Sequence, residues 1–193
     1  MIMTRTRHIL KRFSLANGQE VILRVIRPRD VDSLLSFFNG LVDEKGHDRE
    51  SQLHAGFDKK FTRRQEAQYI RQILDRVEKD EAVNIVAEVD GRIVANGGAA
   101  RGKYSDTNRH GSLGLTVSGE YRGHGIGSKM IQTLLTESRR LGLKSIDVEF
   151  LAINKAAERA YGRAGFKKAG IIPSMIFRNG EYFDAMIMAR KLP

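Results

Sequence analysis

Residues 121–128 read YRGHGIGS, with Gly123, Gly125 and Gly127 at alternate positions behind Arg122. An apolar stretch precedes them and a helix-like stretch follows. A glycine backbone lets a ligand approach closely. The first N–H groups of a helix have no internal partner and carry the positive end of its dipole. Together they make an anion site suited to phosphate, to which Arg122 adds a cation. A tight turn that only packs strand on helix is the structural alternative, but one glycine would serve it. Two familiar phosphate loops do not fit. A P-loop needs G-x-x-x-x-G-K-[ST]. A Rossmann loop needs G-x-G-x-x-G, and here the third glycine comes one position early. Glu149 lies where a ribose-binding acid is expected, yet the connection from Val117 to Arg122 is too long for that strand-to-helix turn.

Proton transfer needs a different set of residues. KSIDVEF (144–150) alternates, so Ile146, Val148 and Phe150 share one face and Asp147 and Glu149 the other. A strand covered on both faces should be apolar on both. Carboxylates on one face place that face on a cleft or at the sheet rim. Glu149 is therefore the first candidate for a general base, with a solvated strand carboxylate as the structural alternative. Glu120, Glu88, His110 and ordered water are the other bases weighed. His47 and His54, with Asp48 and Glu50 between, read as a solvated loop rather than a metal site. His124 faces either phosphate or water. The chain has no cysteine, which excludes disulfides, thiolate metal sites and a cysteine nucleophile.

Two motifs together resemble those of the GNAT superfamily of N-acetyltransferases. Arg122-x-x-Gly125-x-Gly127 is similar to its Q/R-x-x-G-x-G/A loop. Asn154-x-x-Ala157-x-x-x-Tyr161-x-x-x-Gly165-Phe166 is similar to its N-x-x-A-x-x-x-Y-x-x-x-G-F helix. The resemblance is strong over 110–170 and looser, by element order, over 20–190. It implies acetyl-CoA as co-substrate, an amine acceptor and no metal. Arg122, Gly123, His124, Gly125, Ile126, Gly127 and Ser128 would then form the pyrophosphate seat. Leu115 and Val117 would pair their backbone with the pantetheine arm, and the Val117 N–H would polarise the thioester carbonyl. Asn154 would contact the cofactor, and Tyr161 would protonate the leaving thiolate. Glu149 lies five residues before the motif asparagine, where some family members that acetylate peptide amines carry a catalytic glutamate. The implied acceptor site is shaped by 42–61 and by the hairpin over about 172–183. A polyamine, an aminoglycoside-like amine, and a peptide or lysine amine remain open as acceptors, and a homodimer remains open too.

These residues need elements to position them. EVILRVI (20–26) reads as a strand. Pro28 opens a helix with the stripe Val31, Leu34, Leu35, Phe38 and Leu41. Residues 42–61 read as a loop or a short irregular helix. Thr62 and Gln65 form a capping box before a helix over 62–79 whose stripe is Ala67, Ile70, Leu74 and Val77. AVNIVAEV and RIVANGGAA flank Asp90-Gly91, a strong hairpin signal. HGSLGLTV (110–117) is a strand, and the glycine segment starts a helix that Gly142 stops. Its buried side is Ile126, Met130, Ile131, Leu134, Leu135, Ser138 and Leu141. A strand over 144–150, a short helix capped by Asn154, and two strands joined through Asn179-Gly180 complete the chain. Strand–helix–strand passages over 110–150 and 144–172 allow parallel pairing. The expected fold is α/β (mixed α+β) and GNAT-like, in the order β α α β β β α β α β β. Its central sheet is mixed and largely antiparallel, with about seven strands and helices on both faces.

At 193 residues with no linker or repeat, one domain over 1–193 is expected, with 1–19 a basic N-terminal arm or an extra strand. No apolar run is long enough to span a membrane. The opening MIMTRTRHILKRF lacks the apolar core of a secretion signal, and a cytoplasmic setting is expected. The net charge of +10 is uneven: residues 1–29 hold seven Lys/Arg against one Glu. Such charge attracts polyanions in general. The competing functions are therefore a non-catalytic acyl-CoA sensor and a nucleic-acid binder that uses the basic arm, and nucleic acid is the less favoured partner.

Overall fold

The computed structural model describes residues 9–47, 59–178 and 180–193. His54, Asp48, Glu50 and Asn179 lie outside the described residues, as does most of the 42–61 segment read as shaping the acceptor site. Among the described residues eight strands form one sheet: β1 (Ile9–Ser14), β2 (Glu20–Val25), β3 (Ala82–Val89), β4 (Arg92–Arg101), β5 (His110–Val117), β6 (Ser145–Leu151), β7 (Lys167–Arg178) and β8 (Glu181–Lys191). Among the described residues four α-helices accompany them: α1 (Val31–His47), α2 (Arg63–Glu78), α3 (Ile126–Arg140) and α4 (Lys155–Arg163). The eighth strand is β1, which the leading segment adds beside β2. No described helix is long and apolar enough to cross a membrane.

The spatial order is β1-β2-β3-β4-β5-β6-β8-β7. β5 and β6 run parallel, and the other described neighbours pair antiparallel. The 110–150 passage therefore gives the parallel pair expected of it. The 144–172 passage does not, because β8 lies between β6 and β7. The tight turn through Gly180 (φ +84°) folds β8 back along β7, and its other edge takes the place beside β6.

Helices cover both faces. α3 and α4 pack with Leu23, Ile85, Leu113, Ile146 and Val148 in the larger core. α1 and α2 pack with Val25, Val86 and Ile93 on the opposite side. The expected stripe of α3 is the inward face: Ile126, Met130, Ile131, Leu134, Leu135 and Ser138 are each at most 2% exposed. Asp90 (φ +48°) and Gly91 (φ +76°) make the β3–β4 turn in the left-handed conformation that this pair favours. Thr62 accepts from the Gln65 N–H, and the Gln65 side chain accepts from the Thr62 N–H, so the capping box forms as read.

Two buried polar features were not read from the sequence. Arg24 grips Asp30 through both terminal nitrogens (2.7 and 2.9 Å) and Glu88 through Nε (2.7 Å), which ties β2 and β3 to the turn before α1. Glu66, in the first turn of α2, is 1% exposed, and its Oε1 has no hydrogen-bond partner among the described residues. Burial pushes its carboxyl up to about 7. The native state thus keeps a proton that the unfolded chain releases at lower pH. Its contribution to stability is greatest below the ordinary carboxyl range and falls as pH rises toward about 7. Glu66→Gln is expected to remove this slope and to gain roughly 1–3 kcal/mol over the parent at pH 8. Urea melts at pH 5 and pH 8 check it; parallel pH dependence in the two proteins contradicts it.

Candidate active site

The ladder between β5 and β6 runs from His110–Ser145 to Leu113–Val148 and ends there. β5 continues along β4 to Val117, and β6 continues along β8 to Leu151. The two strands therefore part into a V between residues 114–117 and 149–151. The Ser118 N–H bonds the Val94 carbonyl at 2.9 Å. By the alternation of an antiparallel ladder, the polar groups of Gly114 and Thr116 also face β4. Those of Leu115 and Val117 then face the gap, a sheet edge able to pair with an extended ligand.

The gap opens to both sides of the sheet. Leu115 and Val117 pack toward the α3 side, as do Phe150 and Tyr161. By strand alternation, Gly114, Thr116, Asp147 and Glu149 lie on the α1 side. Asp147 is drawn into a cluster: His110 Nε2 and Ser112 Oγ meet its Oδ1 at 2.9 and 2.8 Å, and His110 Nδ1 meets Ser145 Oγ at 2.8 Å. Glu149 stays exposed on the same face, nearer the opening. Glu88 is held by Arg24, away from this position.

Tyr161 is 7% exposed. Its ring stacks on Phe150 (5.5 Å between centroids) and meets Phe166 edge-on (5.4 Å). Phe150 belongs to the diverging part of β6, so the stack sets Tyr161 beside the gap. Its hydroxyl has no hydrogen-bond partner among the described residues. Burial pushes the phenol up to about 12.

The glycine loop stands at the mouth of the gap. Gly123 (φ +80°) and Gly125 (φ +84°) take left-handed conformations with open space where a Cβ would lie. Gly125 is the N-cap of α3, and no side chain caps it. The first turn of α3 holds no acidic residue, whereas α2 and α4 begin with side-chain caps and carry Glu66 and Glu158. The positive end of α3 thus meets no side-chain cap and no first-turn acid, an arrangement able to take an anion. Ile126 is fully buried, so only its backbone can serve a ligand, while His124 and Ser128 are exposed. Gly127 leaves its space to Val117 and Leu115, whose methyls would lie 3.7 and 3.9 Å from an added Cβ.

Two of the candidate side chains are engaged by protein groups, Asn154 in the cap expected of it. Arg122 gives Nε to the Val117 carbonyl (2.9 Å) and Nη1 to Glu44 of α1. Asn154 accepts from the Ala157 N–H through Oδ1 (2.9 Å) and caps α4. Glu44 was missed in the sequence because it lies 78 positions from Arg122, within a stretch of mixed charge.

A strand pair split into a V, with an uncapped helix N-terminus at its mouth and a tyrosine on its flank, is able to take an extended ligand with an anionic end. Residues 50–166 match the model of the acetyltransferase (GNAT) family, and the chain belongs to that family. The resemblance read over 110–170 is thereby borne out. The chain is 34% identical to a probable N-acetyltransferase, camello, of Xenopus tropicalis over 93 residues, which is 47% of this chain and 42% of that relative. It is 28% identical over 173 residues to the SPbeta prophage-derived uncharacterized N-acetyltransferase YokL of Bacillus subtilis, 88% of each chain. Its fold superposes on a GNAT superfamily phosphinothricin acetyltransferase of Sinorhizobium meliloti, solved in complex with acetyl-CoA. That match has a TM-score of 0.75 and 17% identity, and covers 89% of this chain and 88% of the other.

Proposed function

We propose that the protein transfers the acetyl group of acetyl-CoA to a primary amine by direct attack in a ternary complex. The observation that carries this reading is the V between β5 and β6, open to both faces of the sheet. A thioester can enter from the α3 side and an amine from the side of Glu149. The residues fit such a ligand. The Arg122 N–H is taken by the Gly119 carbonyl, so the N–H groups over 123–128 are those that suit its diphosphate, and the gap-facing polar groups of Leu115 and Val117 suit its amide-bearing arm. Bound there, acetyl-CoA supplies an activated acyl group.

The chain's own residues act on charge and protons. The Val117 N–H is a fixed donor for negative charge that develops on a carbonyl oxygen in the gap. Its own carbonyl is taken by Arg122, so the strand edge presents a donor there. Tyr161 faces the departing sulfur. A phenol at about 12 is a weaker acid than a thiol at about 8.5. Its hydroxyl therefore steadies the growing thiolate mainly as a hydrogen-bond donor. The amine proton passes to the base and on to solvent, and the sulfur leaves as a thiolate that takes its proton from solvent.

Glu149 is the base that takes the amine proton, directly or through water. Glu149→Gln is expected to lower kcat near pH 7 by about 100-fold. The loss should shrink above pH 9, where the amine deprotonates unaided. A uniform loss at every pH would remove Glu149 from the proton path.

An amine panel resolves the acceptor, with release of free CoA thiol as the readout. It should contain polyamines, an aminoglycoside, peptides with free N-termini and peptides with internal lysine. Saturable release with one class confirms the reading and names the acceptor. Release no faster than background with every class, in protein that binds acetyl-CoA, favours a sensor over an enzyme.

A further inference from the structure

We propose that Glu44 is the positioning residue of the cofactor loop, acting through Arg122. The inference rests on the reading of residues 122–128 as the seat of the acetyl-CoA diphosphate. Glu44 projects from the C-terminal half of α1, at the start of the segment expected to shape the acceptor site. Its Oε1 takes Arg122 Nη1, and its Oε2 takes the Gly119 N–H at 3.2 Å. The same guanidinium gives Nε to the Val117 carbonyl at 2.9 Å. One carboxylate thus fastens both ends of the 118–122 connection, and the arginine fastens that connection to the last residue of β5.

The arrangement gives Arg122 a role beyond a phosphate contact. Its guanidinium is engaged by protein groups through Nε and Nη1, so loop geometry is part of what it supplies. The glycines that follow cannot hold that geometry themselves. Gly123 and Gly125 make no side-chain contact and have open space around them. A loop built to let a ligand close in needs its rigidity from outside, and the Glu44–Arg122 pair provides it. The pairing also neutralises a carboxylate that would otherwise lie next to an anion site. Glu44 is 26% exposed and Arg122 43%. The pair therefore adds little to global stability, and its effect should appear in ligand binding.

The test is acetyl-CoA affinity of the full chain, measured by calorimetry in the parent and in Glu44→Gln, Arg122→Gln and the double variant. Glu44→Gln is expected to weaken binding about tenfold, the worth of one charge-assisted hydrogen bond at a partly exposed site. The melting temperature without ligand should stay within about 2 °C of the parent's. The double variant should bind no worse than Arg122→Gln alone, because both changes cut one linkage. Glu44→Asp and Arg122→Lys, which keep both charges, should recover part of the loss. Glu44→Gln within twofold of the parent would overturn the proposal, as would losses that multiply in the double variant. Absence of binding by the parent itself would overturn the reading of the loop on which the proposal rests.

Discussion

Tyr161→Phe is expected to lower kcat by about 100-fold and to leave acetyl-CoA affinity within threefold. The ring keeps its stack on Phe150 and its edge contact with Phe166, so packing beside the gap is retained. The hydroxyl has no partner among the described residues, so its removal should not lower the melting temperature. That separates chemistry from folding within a single substitution. Steady-state kinetics and a ligand titration on the same preparation check it. Full turnover without the hydroxyl would take Tyr161 out of the mechanism and leave it a core aromatic. Lost affinity with unchanged kcat would make it a cofactor contact only.

Gly125→Val is expected to weaken acetyl-CoA binding by at least about 100-fold. Two effects combine. A β-branched residue at φ +84° stores about 1–3 kcal/mol of strain, relieved by turning the first N–H groups of α3 away. The new methyls also fill the open space in front of the helix end. Gly18 supplies the control, since it sits in the β1–β2 turn at φ +86° with equal room for a Cβ. Gly18→Val should cost similar stability and leave acetyl-CoA affinity unchanged. Equal affinity in the two variants would mean that the α3 N-terminus is not the anion seat.

What could be read before the structure is local in chain distance. The α3 stripe, the Thr62 capping box, the Asp90-Gly91 turn and the Asn154 cap are each decided within a few residues, and each forms as expected. The alternation of KSIDVEF likewise separates the buried Ile146, Val148 and Phe150 from the more open Asp147 and Glu149. The α1 stripe was only partly read. Phe37 is buried where Leu35 is half-exposed, because α1 packs against both α2 and the sheet and its buried arc is wider than one line. The place of β8 between β6 and β7 depends on which edge a returning hairpin finds, which strand patterns do not encode. The contact between Glu44 and Arg122 has the same origin. Nothing near Glu44 marks it among the surrounding charges, and only the path of α1 over the sheet brings it to the loop. Glu66 reads as an ordinary first-turn acid until α2 is packed.

The central claim is that the glycine loop and the split strands hold acetyl-CoA. It is tested most directly by thermal unfolding of the full chain with increasing acetyl-CoA at ordinary salt. A ligand bound only to the native state adds about 2.7 kcal/mol at 100 times its dissociation constant. The melting temperature should therefore climb steadily with concentration, by several degrees for a chain of this size. Gly125→Val should abolish the climb. A melting temperature unmoved by saturating acetyl-CoA would contradict the account.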